Sequence, residues 1–133
     1  MEWTELTALE LGAAIKKGEL SVREAVQGAL DRIAARNSAM NAFVTVTSER
    51  ALERAEQLQA GVKDADSPLY GVPMAVKDNI CTRGVPTTCA SKILDGFVPP
   101  YSACVVDKLA SAGAVCLGKL NMDEFAMGST SET

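Results

Sequence analysis

The sequence predicts an α/β fold, and three observations carry that reading. Capped amphipathic helices lead the chain, a short continuous apolar run follows at Gly71 to Val76, and a strand, helix, strand pattern comes after it. Thr7 with Glu10 three residues on is a capping-box signature, and Leu11, Ala14 and Ile15 then recur at helical spacing until Gly18, so a first helix is expected over Ala8 to Lys17. Ser21 and Glu24 repeat the signature. Val22, Ala25, Val26, Ala29, Leu30 and Ile33 share one face of a second helix expected to end near Asn37, in a hairpin with the first. Ala42 to Val46 is β-rich and reads as a short strand; a third helix from about Ser48 to Ala60 is closed by Gly61, and Lys63 to Pro68 is a polar surface loop.

Beyond that loop the pattern changes. Gly71 to Val76 lacks helical period, as expected of a strand covered on both faces, and Lys77 stands where it ends. Thr82 to Thr88 is rich in turn formers and small hydroxyls and reads as a loop beside that strand end, a place where chemistry is commonly carried. Ser102 to Ala112 has a helical apolar face (Val105, Val106, Leu109) capped by Gly113, and Ala114 to Leu117 is a second buried strand, which together give a parallel βαβ unit. Asn121 caps a short helix containing Met122 to Ala126, after which Gly128 to Ser131 is small and polar. Two parallel strands cannot make a covered sheet, so the reading is of a truncated piece of a larger α/β protein: a helical lead-in over 1–61 and the start of a larger sheet over 70–133. An exposed sheet edge and apolar helix face are expected to make the piece self-associate.

Composition narrows the function classes. With 47% hydrophobic and 23% charged residues in 133, the chain is of globular type and about one domain long. A net charge of −4 provides no positive field for phosphate backbones, so any nucleic acid is expected to be handled by a partner. No apolar run nears the roughly 18 to 20 residues that span a bilayer, and the amino terminus is acidic where a signal peptide is basic, so no membrane is expected and the chain reads as cytoplasmic. Cys81, Cys89, Cys104 and Cys116 have no CxxC spacing and there is no histidine, which leaves few ligands for a metal and excludes every Ser-His-Asp or Cys-His arrangement from this stretch. A proton shuttle here is lysine or a carboxylate.

Lys77 is the residue this pattern singles out. An ammonium at the end of an apolar, β-branched run is costly to bury, and burial would favour its neutral form and make it a usable base. The alternatives are an ion pair with Asp78, Asp123 or Glu124, or a side chain that reaches solvent from a strand end. Asp78 and Asn79 read either as groups that orient the lysine or the loop through hydrogen bonds or as simple turn formers at a strand end, Thr87, Thr88 and Ser91 as structural, and Asp123 and Glu124 as first-turn helix charges.

The stretches GVPMAVKDNICTRGVPTTCASKIL and SACVVDKLASAGAVCLGKLNMDEFAMGST, with NAFVTVT before them, resemble the amino-terminal part of the amidase signature family, and the likeness covers essentially all 133 residues. It implies a large α/β domain with helices on both faces of a mixed, mainly parallel sheet. It also implies a catalytic unit of two serines and a lysine, in which the lysine of VKDN matches Lys77, and an amide-binding stretch matched by Met127, Gly128 and Ser129. In that mechanism Lys77 accepts a proton through a bridging serine and later returns it to the leaving ammonia. Both serines belong to a Gly-Ser-rich segment the family places after residue 133. Ser129 and Ser131 do not replace them, because the glycine-rich surround for an oxyanion hole is absent too.

Within the family the likeness is strongest to the glutamine-hydrolysing subunits of tRNA-dependent amidotransferases. That branch implies hydrolysis of glutamine, with the ammonia passed on to amidate Glu-tRNA(Gln) or Asp-tRNA(Asn). It implies a heterotrimer with B and C subunits, charged tRNA held mainly by the B subunit, and ATP and magnesium used by the assembly with no cofactor in this chain. The 133-residue piece alone is expected to be inactive. Three other readings stay open: a stand-alone amidase of the same family, a non-catalytic docking module, and a Schiff-base enzyme built on Lys77.

Overall fold

The computed structural model describes residues 3–61 and 66–131. Four helices, α1 (Ala8–Lys17), α2 (Val22–Met40), α3 (Ser48–Ala60) and α4 (Cys104–Ser111), accompany three strands, β1 (Phe43–Val46), β2 (Pro73–Lys77) and β3 (Val115–Leu120). Both expected capping boxes form: the Thr7 and Ser21 hydroxyls accept from the Glu10 and Glu24 amides, and each glutamate carboxylate reaches back to its cap amide. Each box satisfies donors that the first helical turn leaves open. Gly18 takes a left-handed conformation (φ 77°) that ends α1, as its position predicts.

The second helix runs past its expected end. Asn37 stays helical, and its side-chain amide spans the strand that follows, accepting from the Phe43 amide (2.8 Å) and donating to the Phe43 carbonyl (3.0 Å). Asn41, at φ 50°, is the true cap. A mid-helix asparagine satisfied by a tertiary contact looks, in sequence, like one that ends a helix.

The sheet is mixed, in the order β1-β3-β2, with β3 parallel to β2 and antiparallel to β1. The expected βαβ unit is therefore β2, α4, β3, and β1 adds the antiparallel neighbour that the strand pattern alone did not supply. Coverage on both faces belongs to β3, the central strand, where Val115, Leu117 and Lys119 are all buried; its pairing with β2 shifts register between Met74 and Val76, which interrupts the simple alternation. β2 has half-buried Pro73, Met74 and Ala75, as suits an edge of the three described strands. Gly118 permits the close β1 crossing, since a Cβ there would lie 2.1 Å from the Thr45 carbonyl oxygen.

The core gathers Leu11 and Ile15 from α1, Val22, Ala25, Val26 and Leu30 from α2, Ala51, Ala55 and Leu58 from α3, and Val115 and Leu117 from β3. Each large member contributes about 1.5–3 kcal/mol by leaving water. The cluster reaches the sheet through Val72, just before β2, and through Val115 and Leu117 in the first part of β3. The expected helix over Met122 to Ala126 is reduced to one turn, Glu124–Ala126, in which Phe125 (φ 51°) and Ala126 (φ 57°) are left-handed. The polar loop expected from Lys63 to Pro68 lies partly outside the described residues; of its last three residues, Asp66 and Pro68 are in turns.

Candidate active site

Lys77 closes β2 with an exposed side chain, between buried Val76 and buried Asp78. The alternation of a strand puts Val76 and Asp78 on the inner face and Lys77 on the outer one. Burial, the first expectation for this lysine, is not what the segment shows; of the alternatives, the side chain that reaches solvent is the one found. Among the described residues Lys77 makes no ion pair. Each proposed partner is engaged elsewhere: Asp78 lies 3.7 Å from the Lys119 ammonium, Glu124 accepts from Ser91 (2.6 Å), and Asp123 accepts from the Gly128 amide (2.5 Å).

The buried lysine is Lys119, one strand over. Its ammonium, wholly shielded from water, donates to the Ile80 carbonyl (2.6 Å) and to Thr87 Oγ1 (2.9 Å) beside the Asp78 carboxylate. Burial pushes its pKa down and the Asp78 charge pushes back, burial prevailing. Asp78 Oδ2 accepts from the Thr88 hydroxyl (2.6 Å) and from the Thr88 (3.1 Å) and Ala90 (3.4 Å) amides, while Oδ1 has the ammonium of Lys119 as its neighbour and no hydrogen bond. Asp78 thus bonds the loop that follows β2, and Thr87, Thr88 and Ser91 are each hydrogen-bonded around it.

Sequence reasoning missed Lys119, though its signal was the same as that of Lys77: a lysine inside the apolar run AVCLGKLNM. Reading Gly118 as a strand end hid it.

Met127, Gly128 and Ser129 form an exposed turn after Ala126, with Met127 86% exposed. Two hydrogen bonds tie the approach to this turn to the loop after β2: the Phe125 amide to the Cys89 carbonyl (3.1 Å) and Ser91 to Glu124. Cys89 and Ala90 (φ 53° and 52°) are left-handed like Phe125 and Ala126, so four non-glycine residues in an unfavourable region meet across one contact. Cys89 and Cys116 are held as thiols, their pKa values raised chiefly by burial, and all four cysteines are free. No cluster of metal-ligating side chains is present among the described residues, and no helix there is long and apolar enough to cross a membrane. A separate cleft of about 360 Å³ opens between α3 and α4 above Met74 and Cys116, its arginines engaged with the Arg83 and Ala110 carbonyls.

Comparison with known proteins bears on this geometry. Residues 24–133 match the model of the family described as Amidase. The A subunit of glutamyl-tRNA(Gln) amidotransferase from Lachnoclostridium phytofermentans is 56% identical over the whole of this chain. Two solved structures superpose well: native peptide amidase from Stenotrophomonas maltophilia, with TM-score 0.85 and 33% identity over 93% of this chain, and the A subunit of glutamyl-tRNA(Gln) amidotransferase from Thermotoga maritima, with TM-score 0.74 and 34% identity over 99%. The chain spans 28% of the length of the Lachnoclostridium relative and 26% of each of the two structures.

Proposed function

The chain belongs to the amidase family, and on that premise we propose that it is part of the glutamine-hydrolysing subunit of a tRNA-dependent amidotransferase. The observation that carries this reading is the 47–56% identity, over nearly all of the chain, to relatives named as the A subunit of glutamyl-tRNA(Gln) amidotransferase. Lys77 is the base. Its exposed side chain at the end of β2, unconsumed by Asp78, Asp123 or Glu124, supports a role toward groups supplied by the rest of the polypeptide.

The two serines of the catalytic unit come from a later segment of the polypeptide, after residue 133. Lys77 takes a proton through the bridging serine, the freed nucleophile attacks the side-chain amide of glutamine, and the same proton goes to the departing ammonia. Met127, Gly128 and Ser129 line the amide pocket. Ammonia passes to a B subunit that binds the charged tRNA and uses ATP and magnesium, with a C subunit completing a cytoplasmic heterotrimer. The 133-residue segment by itself lacks the serines and is inactive.

The test uses the full-length protein assembled with its two partner subunits. Ammonia release from glutamine, coupled to amidation of Glu-tRNA(Gln) or Asp-tRNA(Asn), is the expected result. Hydrolysis of simple amides with no transfer to charged tRNA would instead assign it to the stand-alone amidases, a reading that the superposition on peptide amidase also accommodates.

A further inference from the structure

One fully buried ion pair fastens the turn that starts at Lys77. The Lys77 carbonyl accepts from the Ile80 amide (3.0 Å), closing a turn directly after β2, and the Ile80 carbonyl in turn accepts from the Lys119 ammonium. All three partners of that ammonium, Asp78, Ile80 and Thr87, come from the eleven-residue stretch that Lys77 opens. Asp78 reaches further. Its amide donates to the Leu120 carbonyl (3.1 Å), its carbonyl accepts from Cys89 (3.0 Å), and its carboxylate accepts from Thr88 and Ala90. Cys89 is the residue whose carbonyl receives Phe125, on the approach to Met127 to Ser129.

A continuous chain of contacts therefore runs from Lys119 through Asp78 and the left-handed pair Cys89 and Ala90 to the left-handed pair Phe125 and Ala126. A buried ion pair is a poor device for stability alone, because apolar residues of similar volume commonly do as well or better. Its benefit here is geometric: one carboxylate oxygen, Oδ2, collects the donors from Thr88 and Ala90 that fix the loop, while the other, Oδ1, faces the Lys119 ammonium.

We propose that Asp78 and Lys119 are positioning residues for the amide-hydrolysing site, setting the placement of Lys77 relative to the Met127 to Ser129 turn. The proposal rests on the functional reading above. Neither residue touches substrate; both act through the turn at Lys77 and the loop at Thr88 to Ala90.

The experiment uses the full-length protein in its assembled complex, with Asp78→Asn, Thr88→Val and Thr88→Ser. Asp78→Asn lowers kcat for glutamine by about tenfold or more, the effect of roughly one lost charge-assisted contact, with KM little changed. Thr88→Val, which removes one hydroxyl and keeps the side-chain shape, lowers kcat several-fold with little change in melting temperature, and Thr88→Ser restores it. If the Asn variant fails to fold, the Thr88 pair decides. A lowered melting temperature with kcat per folded enzyme unchanged overturns the proposal, as does a serine variant no better than the valine one.

A second measurement, independent of glutamine, separates this proposal from the functional reading. The rate of amine labelling of Lys77 by acetic anhydride, followed by peptide mass spectrometry, changes several-fold in Thr88→Val while the rates at Lys16 and Lys108 do not. Unaltered Lys77 labelling overturns the positioning role. A wild-type complex that releases no ammonia from glutamine overturns the functional reading and leaves the labelling result to judge the pair.

Discussion

Residues 3–61 and 66–131 solve the folding problem in different ways. The first region rests on apolar faces: α1, α2 and α3 bring Ile15, Val26 and Ala55 into one cluster, and capping boxes finish two of the helices locally. The second buries a lysine and an aspartate with no access to water and holds two pairs of left-handed non-glycine residues in place by hydrogen bonds. Apolar packing is non-directional and tolerates substitution of similar volume, whereas a buried polar network holds specific atoms at specific places and fails abruptly when one member is lost. The difference teaches where the chemistry sits. The candidate base and its neighbouring turn lie in the region built for placement, and the region built for cohesion supports it from below.

The largest expected effect tests that division at its sharpest point. Lys77→Ala in the full-length assembled protein should reduce glutamine hydrolysis by about a thousandfold, the range for loss of a general acid-base group. It should leave the urea midpoint nearly unchanged, since an exposed side chain without an ion pair typically shifts stability by no more than about 0.5 kcal/mol. A variant that unfolds would show that Lys77 serves structure, and the two regions would no longer separate.

Lys119→Met is the converse. It leaves the Asp78 carboxylate buried with no countercharge, which typically costs about 3–5 kcal/mol. The double variant Asp78→Leu with Lys119→Met should recover much of that stability in a urea melt while activity stays low. Recovery of both would mean that the pair does nothing that apolar packing cannot.

In the helical region the corresponding loss is graded. Ile15→Ala, at a side chain 2% exposed, should cost about 2–5 kcal/mol through lost burial and the cavity left behind, and kcat of the remaining folded enzyme should hold. A fall in kcat with little loss of stability would show that the helical region also places the site.

The same division explains what the sequence revealed. Helix positions were legible because their causes are local: Thr7 with Glu10, Ser21 with Glu24, and apolar residues three and four apart. The βαβ unit was legible from two apolar runs and the helical face between them. Lys77 is legible as a strand-end lysine and β3 as a buried strand, but the run before Lys77 reads as equally covered, whereas its Pro73, Met74 and Ala75 are half-buried. Nothing in a linear pattern says which strand is central. Gly118 looked like a terminator because its reason for being there, the Thr45 carbonyl 2.1 Å from where a Cβ would be, is seventy-three positions away in the chain. Lys119 was hidden behind it, and with it the partner of Asp78. The left-handed pairs at Cys89 and Phe125 carry no glycine or asparagine to announce them, so their conformation is set wholly by contacts that only folding makes.

The smallest effect belongs to the caps and gives the comparison a pH signature. Ser21→Ala removes the hydroxyl that accepts from the Glu24 amide (3.1 Å) and donates to the Glu24 carboxylate (2.6 Å), and loss of such a cap costs about 1 kcal/mol. That hydroxyl, followed by the Ser21 amide, holds the Glu24 carboxyl below its usual range. A carboxylate depressed in the folded state adds stability that is fully present above its unfolded pKa and is lost as pH falls through the folded one. The stability gap between wild type and Ser21→Ala should therefore be full at neutral pH and narrow as the pH drops below about 4.3, the ordinary value for glutamate. Urea midpoints of the two proteins across that range measure it. A gap that stayed constant into strong acid would mean that the cap acts through the backbone amide alone, and that the helical region, like the polar one, depends on which donor meets which acceptor.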